Sequence, residues 1–134
     1  MSELDQLKET IQKSSELSRQ GKDQNALALL DNALTRAFLE NKTAWIRTLS
    51  HHAAAISDSI GDVPRVRRYY EQALICDPNS SKDLYGLANA LQRQGESELA
   101  KLCATKCYQL IRTSENDLDQ ALLELVLLGW PELT

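Results

Sequence analysis

Residues 61–95 read GDVPRVRRYYEQALICDPNSSKDLYGLANALQRQG. The segment opens and closes on glycine, and Gly61 and Gly95 stand 34 residues apart. Each follows a stretch of helical apolar spacing, where a glycine just past the last turn supplies the left-handed stop. After Gly61, Asp62 is positioned as an N-cap, and Pro64 falls in the first turn, where a missing N–H costs nothing. Asp77-Pro78 ends that helix, because the residue before a proline is pushed out of helical geometry. A second helix follows from about Ser81 to Gln94. The segment is thus the return helix of one hairpin and the outgoing helix of the next.

The same step of 34 recurs around it. Ala54 pairs with Ala88, Val66 with Ala100, Tyr70 with Ala104 and Ala73 with Cys107. A step of 40 toward the N-terminus pairs Ser14 with Ala54, Ala26 with Val66, Leu30 with Tyr70, Ala33 with Ala73 and Leu34 with Leu74. Small side chains recur on both helices of each unit, so the two can approach closely while larger neighbours fill the gaps. One hairpin cannot bury its apolar face alone, whereas stacked neighbours can.

The rest of the chain fits this scheme. The spacing predicts seven helices, the first over about residues 2–19 with an inward stripe of Leu4, Leu7, Ile11, Ser14 and Leu17. Gly21 stops it. The second covers about 23–39, with Ala26, Leu27, Leu30, Ala33, Leu34, Ala37 and Phe38 inward. Thr43 is read as the cap of a third helix ending near Ser59, with Trp45, Ile46, Leu49, Ala53, Ile56 and Ile60 as its stripe. The sixth runs from about Ser97 to Ile111. Ser114 is read as the cap of the seventh, with Asp117 in its first turn, and Gly129 and Pro131 close it.

These features resemble the tetratricopeptide repeat family. Leu84-x-x-Leu87-Ala88-x-x-Leu91 is similar to the family pattern, as are Gly61, Tyr70, Ala73 and Pro78 in the middle unit. The resemblance covers about residues 4–112. It implies an all-α fold: a right-handed superhelix of about three hairpins, an α-solenoid, closed by a capping helix. A single domain is expected over 1–134, with units at about 4–40, 44–80 and 81–112 and the cap at about 115–129. The chain departs from the pattern at Val66, where alanine is usual. It departs again at Ser50 and Ser57, where larger apolar residues are usual, and at Arg112 in place of the last proline.

The resemblance also implies a function: a scaffold or adaptor that binds a peptide or partner helix in a concave groove lined by the first helix of each hairpin. Carried over residue by residue, the groove positions include Lys8 and Arg19, His51 and Asp58, then Lys82, Tyr85, Asn89 and Arg93. Tyr85, Asn89 and Arg93 are four apart and share one stripe of any helix. A tyrosine, an amide and an arginine suit a peptide backbone or a carboxylate. The family's two-carboxylate clamp for chaperone tails is not expected, since its positions read Ile11, Ser15, His52, Lys82 and Gly86, and only Lys82 fits.

The last helix carries two apolar surfaces. Leu118, Ala121, Leu122, Leu125 and Leu128 are read as the buried stripe. Leu123, Val126, Leu127 and Trp130 then form a second surface, a candidate interface for a homodimer or a partner helix, in a chaperone-like or self-associating subunit.

Composition narrows the remaining classes. Hydrophobic residues are 43% and charged residues 25%, as in folded globular chains. The net charge of −4 disfavours nucleic acid as a partner, and Arg65, Arg67 and Arg68 read as a solvated cluster. No apolar run approaches the ~20 residues of a membrane span, and the start shows no secretory leader. With three cysteines, the expected location is cytoplasmic. No enzyme, cofactor or metal is expected. His51 and His52 are adjacent and point to different sides of a helix. Cys103 and Cys107 could share an ion, but no further ligands accompany them.

Overall fold

The computed structural model describes residues 2–134, which form seven α-helices and no strand. They are α1 Glu3–Arg19, α2 Asp23–Leu39, α3 Thr43–Ser59, α4 Val63–Cys76, α5 Ser81–Arg93, α6 Ser97–Ile111 and α7 Asp117–Gly129. A short 3₁₀ turn, Pro131–Leu133, follows. The chain is built as two compact units, the first ending at Cys76 and the second spanning Asp77–Thr134.

Four of the six reversals share one backbone device. Gly21, Gly61 and Gly95 have φ of 78°, 73° and 79°. After α1, the Gly21 N–H donates to the Ser18 carbonyl at 3.0 Å and the Lys22 N–H to that of Leu17 at 2.8 Å. This is the paired closure of a helix end that needs one left-handed residue. The ends of α3 and α5 repeat it. So does the end of α2, where Asn41 takes φ 56° and the Lys42 N–H reaches the Ala37 carbonyl at 2.9 Å. Asparagine is the side chain that best tolerates this region after glycine. The break at Asn41 is therefore the same tight turn as the glycine ones.

In the first unit, α1 packs on α2, α2 on α3 and α3 on α4, and α1 also touches α3. Leu7, Ala26, Leu27, Leu30, Leu34, Ala37, Ile46, Leu49, Ala53 and Ala54 fill the core. The alanines there are essentially inaccessible, as the close approach of helices requires. Tyr69 adds a large buried ring, and its hydroxyl donates to Asp31 Oδ1 at 2.6 Å, tying α4 to α2. Lys42 pairs with Glu3 at 2.7 Å and Glu40 at 3.0 Å and lies 4.4 Å above the Trp45 ring. These contacts pin the start of α1 to the α2–α3 turn.

Some expected details differ. Leu4, Phe38 and Ile60 are exposed rather than inward. Ala26, Leu30, Leu34 and Ala37 form the buried line of α2, so Phe38, one residue and about 100° further round, turns outward. Thr43 is the first residue of α3 rather than its cap, and Lys42 precedes it without a side-chain cap. The cap of α7 is Asn116, whose Oδ1 accepts from the Leu118 and Asp119 N–H groups at 2.8 and 3.1 Å. Ser114 instead accepts from the Asn116 N–H and donates to Asp119 Oδ2 at 2.7 Å. Asp62 caps α4 as expected, accepting from the Arg65 N–H at 3.3 Å.

In the second unit, α5 packs on α6, and α6 on α7, which also meets the 3₁₀ turn. Leu84, Ala88, Leu91, Ala100, Ala104, Cys107, Ile111, Val126 and Trp130 are buried. The Cys107 thiol donates to the Ser81 carbonyl at 3.3 Å, joining the two helices of the hairpin.

Candidate functional site

The residues expected from the sequence to line a groove divide between the units. In the first, Lys8 and Arg19 lie on α1, and His51 and Asp58 on α3. Lys8, Arg19 and Asp58 are exposed and His51 is half-buried. Arg19 forms an ion pair with Glu16 one turn back on its own helix, a solvent-screened contact of small energy. In the second unit, Lys82 and Arg93 are exposed on α5, while Tyr85 and Asn89 are half-buried between them in position. The Tyr85–Asn89–Arg93 stripe is therefore a graded surface. A rigid ring and an amide are set into the helix face, with a guanidinium at its C-terminal end.

The first unit also contains a recess that the sequence reading missed. Its volume is about 330 Å³, and it is walled by Gln6, Leu7 and Thr10 of α1, Leu29, Asn32, Ala33 and Arg36 of α2, and Trp45 of α3. The buried Leu7 and the half-buried Leu29, Ala33 and Trp45 give it an apolar lining, and Arg36 beside them is exposed. An apolar hollow beside an indole and a guanidinium can take one side chain of a docked peptide. The signal was present as Leu29, Asn32, Ala33 and Arg36, one stripe at three- and four-residue spacing on the second helix.

α7 is seated opposite to expectation. Val126 and Trp130 are buried, and Leu123 and Leu127 half-buried. Of the stripe taken from the sequence as inward, Leu118, Ala121, Leu125 and Leu128 are exposed and Leu122 is half-buried. The polar anchor explains the choice. Asp119 is held by Ser114 and sits close enough to Cys107 to affect its thiol. That fixes the face of Asp119 inward, and Leu123, Val126 and Trp130 follow at i+4, i+7 and i+11.

The titratable groups are those of a packed interior. Burial, and secondarily the neighbouring His51, pulls the His52 imidazole below its ordinary range. Burial pushes the Cys107 thiol up to about 11, with the Asp119 carboxylate adding to it, and burial also raises Cys76. A raised thiol is a poor nucleophile. Among the described residues, no three His, Cys, Asp or Glu side chains converge as a metal site, and no helix is long and apolar enough to cross a membrane.

Residues 69–101 match the tetratricopeptide repeat family profile. No curated protein matches the sequence. Two of the solved structures that share the fold are alike over nearly the whole chain. One is the C-terminal TPR-containing domain of an FK506-binding protein of Plasmodium falciparum, 20% identical, covering 94% of this chain and 89% of that one, with a TM-score of 0.67. The other is the type III secretion translocator chaperone SycD of Yersinia enterocolitica, 16% identical, covering 96% of this chain and 98% of that one, with a TM-score of 0.63.

Proposed function

Because the chain is a tetratricopeptide-like helical-repeat protein, we propose that it is a protein-interaction scaffold, which holds a peptide or partner helix along the concave groove that its fold class implies. The observation that carries this reading is the Tyr85–Asn89–Arg93 stripe on α5. Tyrosine gives contact area at low entropic cost, asparagine a donor and an acceptor for a peptide bond, and arginine a fork for a carboxylate. Lys82 adds a polar contact on the same helix, and Lys8, Arg19, His51 and Asp58 are the polar positions that the first unit would offer a partner. The reading needs no cofactor and no catalytic residue, and it places the chain in the cytoplasm, where its cysteines suit a reducing medium.

Peptides selected from a random display library against the whole chain test it. Tyr85→Ala with Arg93→Ala is expected to weaken the selected peptides by at least tenfold with the thermal midpoint held, since neither side chain is fully buried. Undiminished affinity in that variant would place binding elsewhere. The alternative reading, a self-associating chaperone-like subunit working through Leu123, Val126, Leu127 and Trp130, draws support from the likeness to a secretion chaperone. It requires α7 to leave its seat, since Val126 and Trp130 are buried.

A further inference from the structure

The outward side of α7 is a second surface, separate from the groove. Leu118 is 81% exposed, Leu125 47% and Leu128 80%. With the exposed Ala121 between them, they fall at i, i+3, i+7 and i+10. That is the seam spacing by which one helix packs along another. The residues lie on the side of α7 opposite Val126 and Trp130, so the seam stays on the surface while the helix keeps its seat. An isolated exposed leucine is ordinary. Three leucines in register along one helix are a continuous strip of the kind that marks an interface.

Charge specifies the occupant. From Thr113 to Thr134 the chain carries Glu115, Asp117, Asp119, Glu124 and Glu132 and no lysine or arginine. Asp119 is turned inward to Ser114, and Glu132 lies 3.8 Å from Lys101. Glu115, Asp117 and Glu124 remain exposed; Glu115 precedes the helix, and Asp117 and Glu124, seven residues apart, lie on one flank of the leucine seam. A second copy of α7 laid on this seam would bring acid against acid or against no charge at all, because the helix holds no base to answer it. A helix with leucine-like residues on its seam and lysine or arginine beside it meets both demands.

We propose that the outward face of α7, built on Leu118, Ala121, Leu125 and Leu128 and flanked by Asp117 and Glu124, docks a basic amphipathic helix of a partner protein. This surface goes beyond the groove reading and does not depend on it.

Two designed peptides of three heptads test the proposal against the full chain by fluorescence anisotropy. Both carry leucine on the seam; one has lysine and the other glutamate at the flanking positions. The lysine peptide is expected to bind at least tenfold more tightly, with an advantage that shrinks as salt rises. Leu125→Glu with Leu128→Ser should abolish that binding while leaving the thermal midpoint in place. Asp117→Lys with Glu124→Lys should invert the preference between the peptides. Equal binding of both peptides, binding of neither, or indifference to the leucine substitutions would overturn the proposal. So would a concentration-dependent dimer in light scattering that Leu125→Glu dissociates, since the occupant would then be a second copy. Tyr85→Ala with Arg93→Ala leaves this binding unchanged, which separates its failure from that of the groove.

Discussion

Val126 and Leu128, two positions apart on α7, should respond very differently to truncation. Val126 has 0% of its surface exposed, whereas Leu128 has 80%. Val126→Ala removes two methyl groups from a closed site. At ~0.8 kcal/mol per buried carbon, plus a contribution from the cavity left behind, the loss is roughly 1.5–3 kcal/mol. Leu128→Ala removes a larger side chain of which only a small fraction leaves a dry environment. Its cost is about a few tenths of a kcal/mol, offset by the better helix propensity of alanine. The thermal midpoint by circular dichroism is expected to fall by roughly 5–10 °C for Val126→Ala and to hold within about a degree for Leu128→Ala. Amide exchange localises the effect: protection should drop over Asp117–Gly129, because α7 packs chiefly on α6 and the short turn after it. If Leu128→Ala destabilises the chain and Val126→Ala does not, α7 is seated on its other face. The docking surface proposed for it would then be part of the core.

His52 and the buried serines give two more tests. The imidazole of His52 is held below its ordinary value by burial, so on acidification through ~6.5 the unfolded chain takes up a proton that the folded chain refuses. This contribution leaves stability unaffected above that pH and lowers it below, until the folded imidazole also titrates. His52→Gln should flatten the thermal midpoint between pH 7 and 5, and an unaltered slope would refute the assignment. Ser50 and Ser57 are wholly buried, and neither hydroxyl oxygen has a hydrogen-bond partner. Ser57→Ala and Ser50→Ala should therefore be neutral or stabilising by up to ~1 kcal/mol in urea denaturation, whereas a loss beyond that would show that the hydroxyls are satisfied.

The fold was legible because three independent signals agreed. Glycine at the helix ends, small residues at a fixed step and Pro78 after the fourth helix all point to hairpins, and agreement across levels is what specifies a structure. Asn41 falls in the gap between the second helix, expected over about 23–39, and the third, expected from Thr43, and nothing in the sequence marked its conformation. Its left-handed turn is the same as those of Gly21, Gly61 and Gly95, but asparagine adopts that region less routinely and so marks it less clearly. Leu4 and Phe38 were misplaced because an apolar residue beside a stripe satisfies the period without facing the core. Apolar residues commonly remain on protein surfaces.

The site was less legible, and α7 shows why. Its sequence DLDQALLELVLLGW is apolar on both sides, so hydrophobic periodicity cannot choose a face. What chooses is polar. The Ser114 hydroxyl holds Asp119, and the same arrangement occurs earlier, where the Ser18 hydroxyl holds Asp23 at 2.7 Å across the α1–α2 turn. A serine five residues before an acid in the first turn thus orients the incoming helix twice in this chain. In both places the acid is half-buried rather than solvated. Where two apolar faces compete for the core, the side carrying the anchored acid is turned inward and the other is left to solvent. On α7 the face left out has three leucines in register, and the acids beside it give that face the charge by which a partner can be chosen.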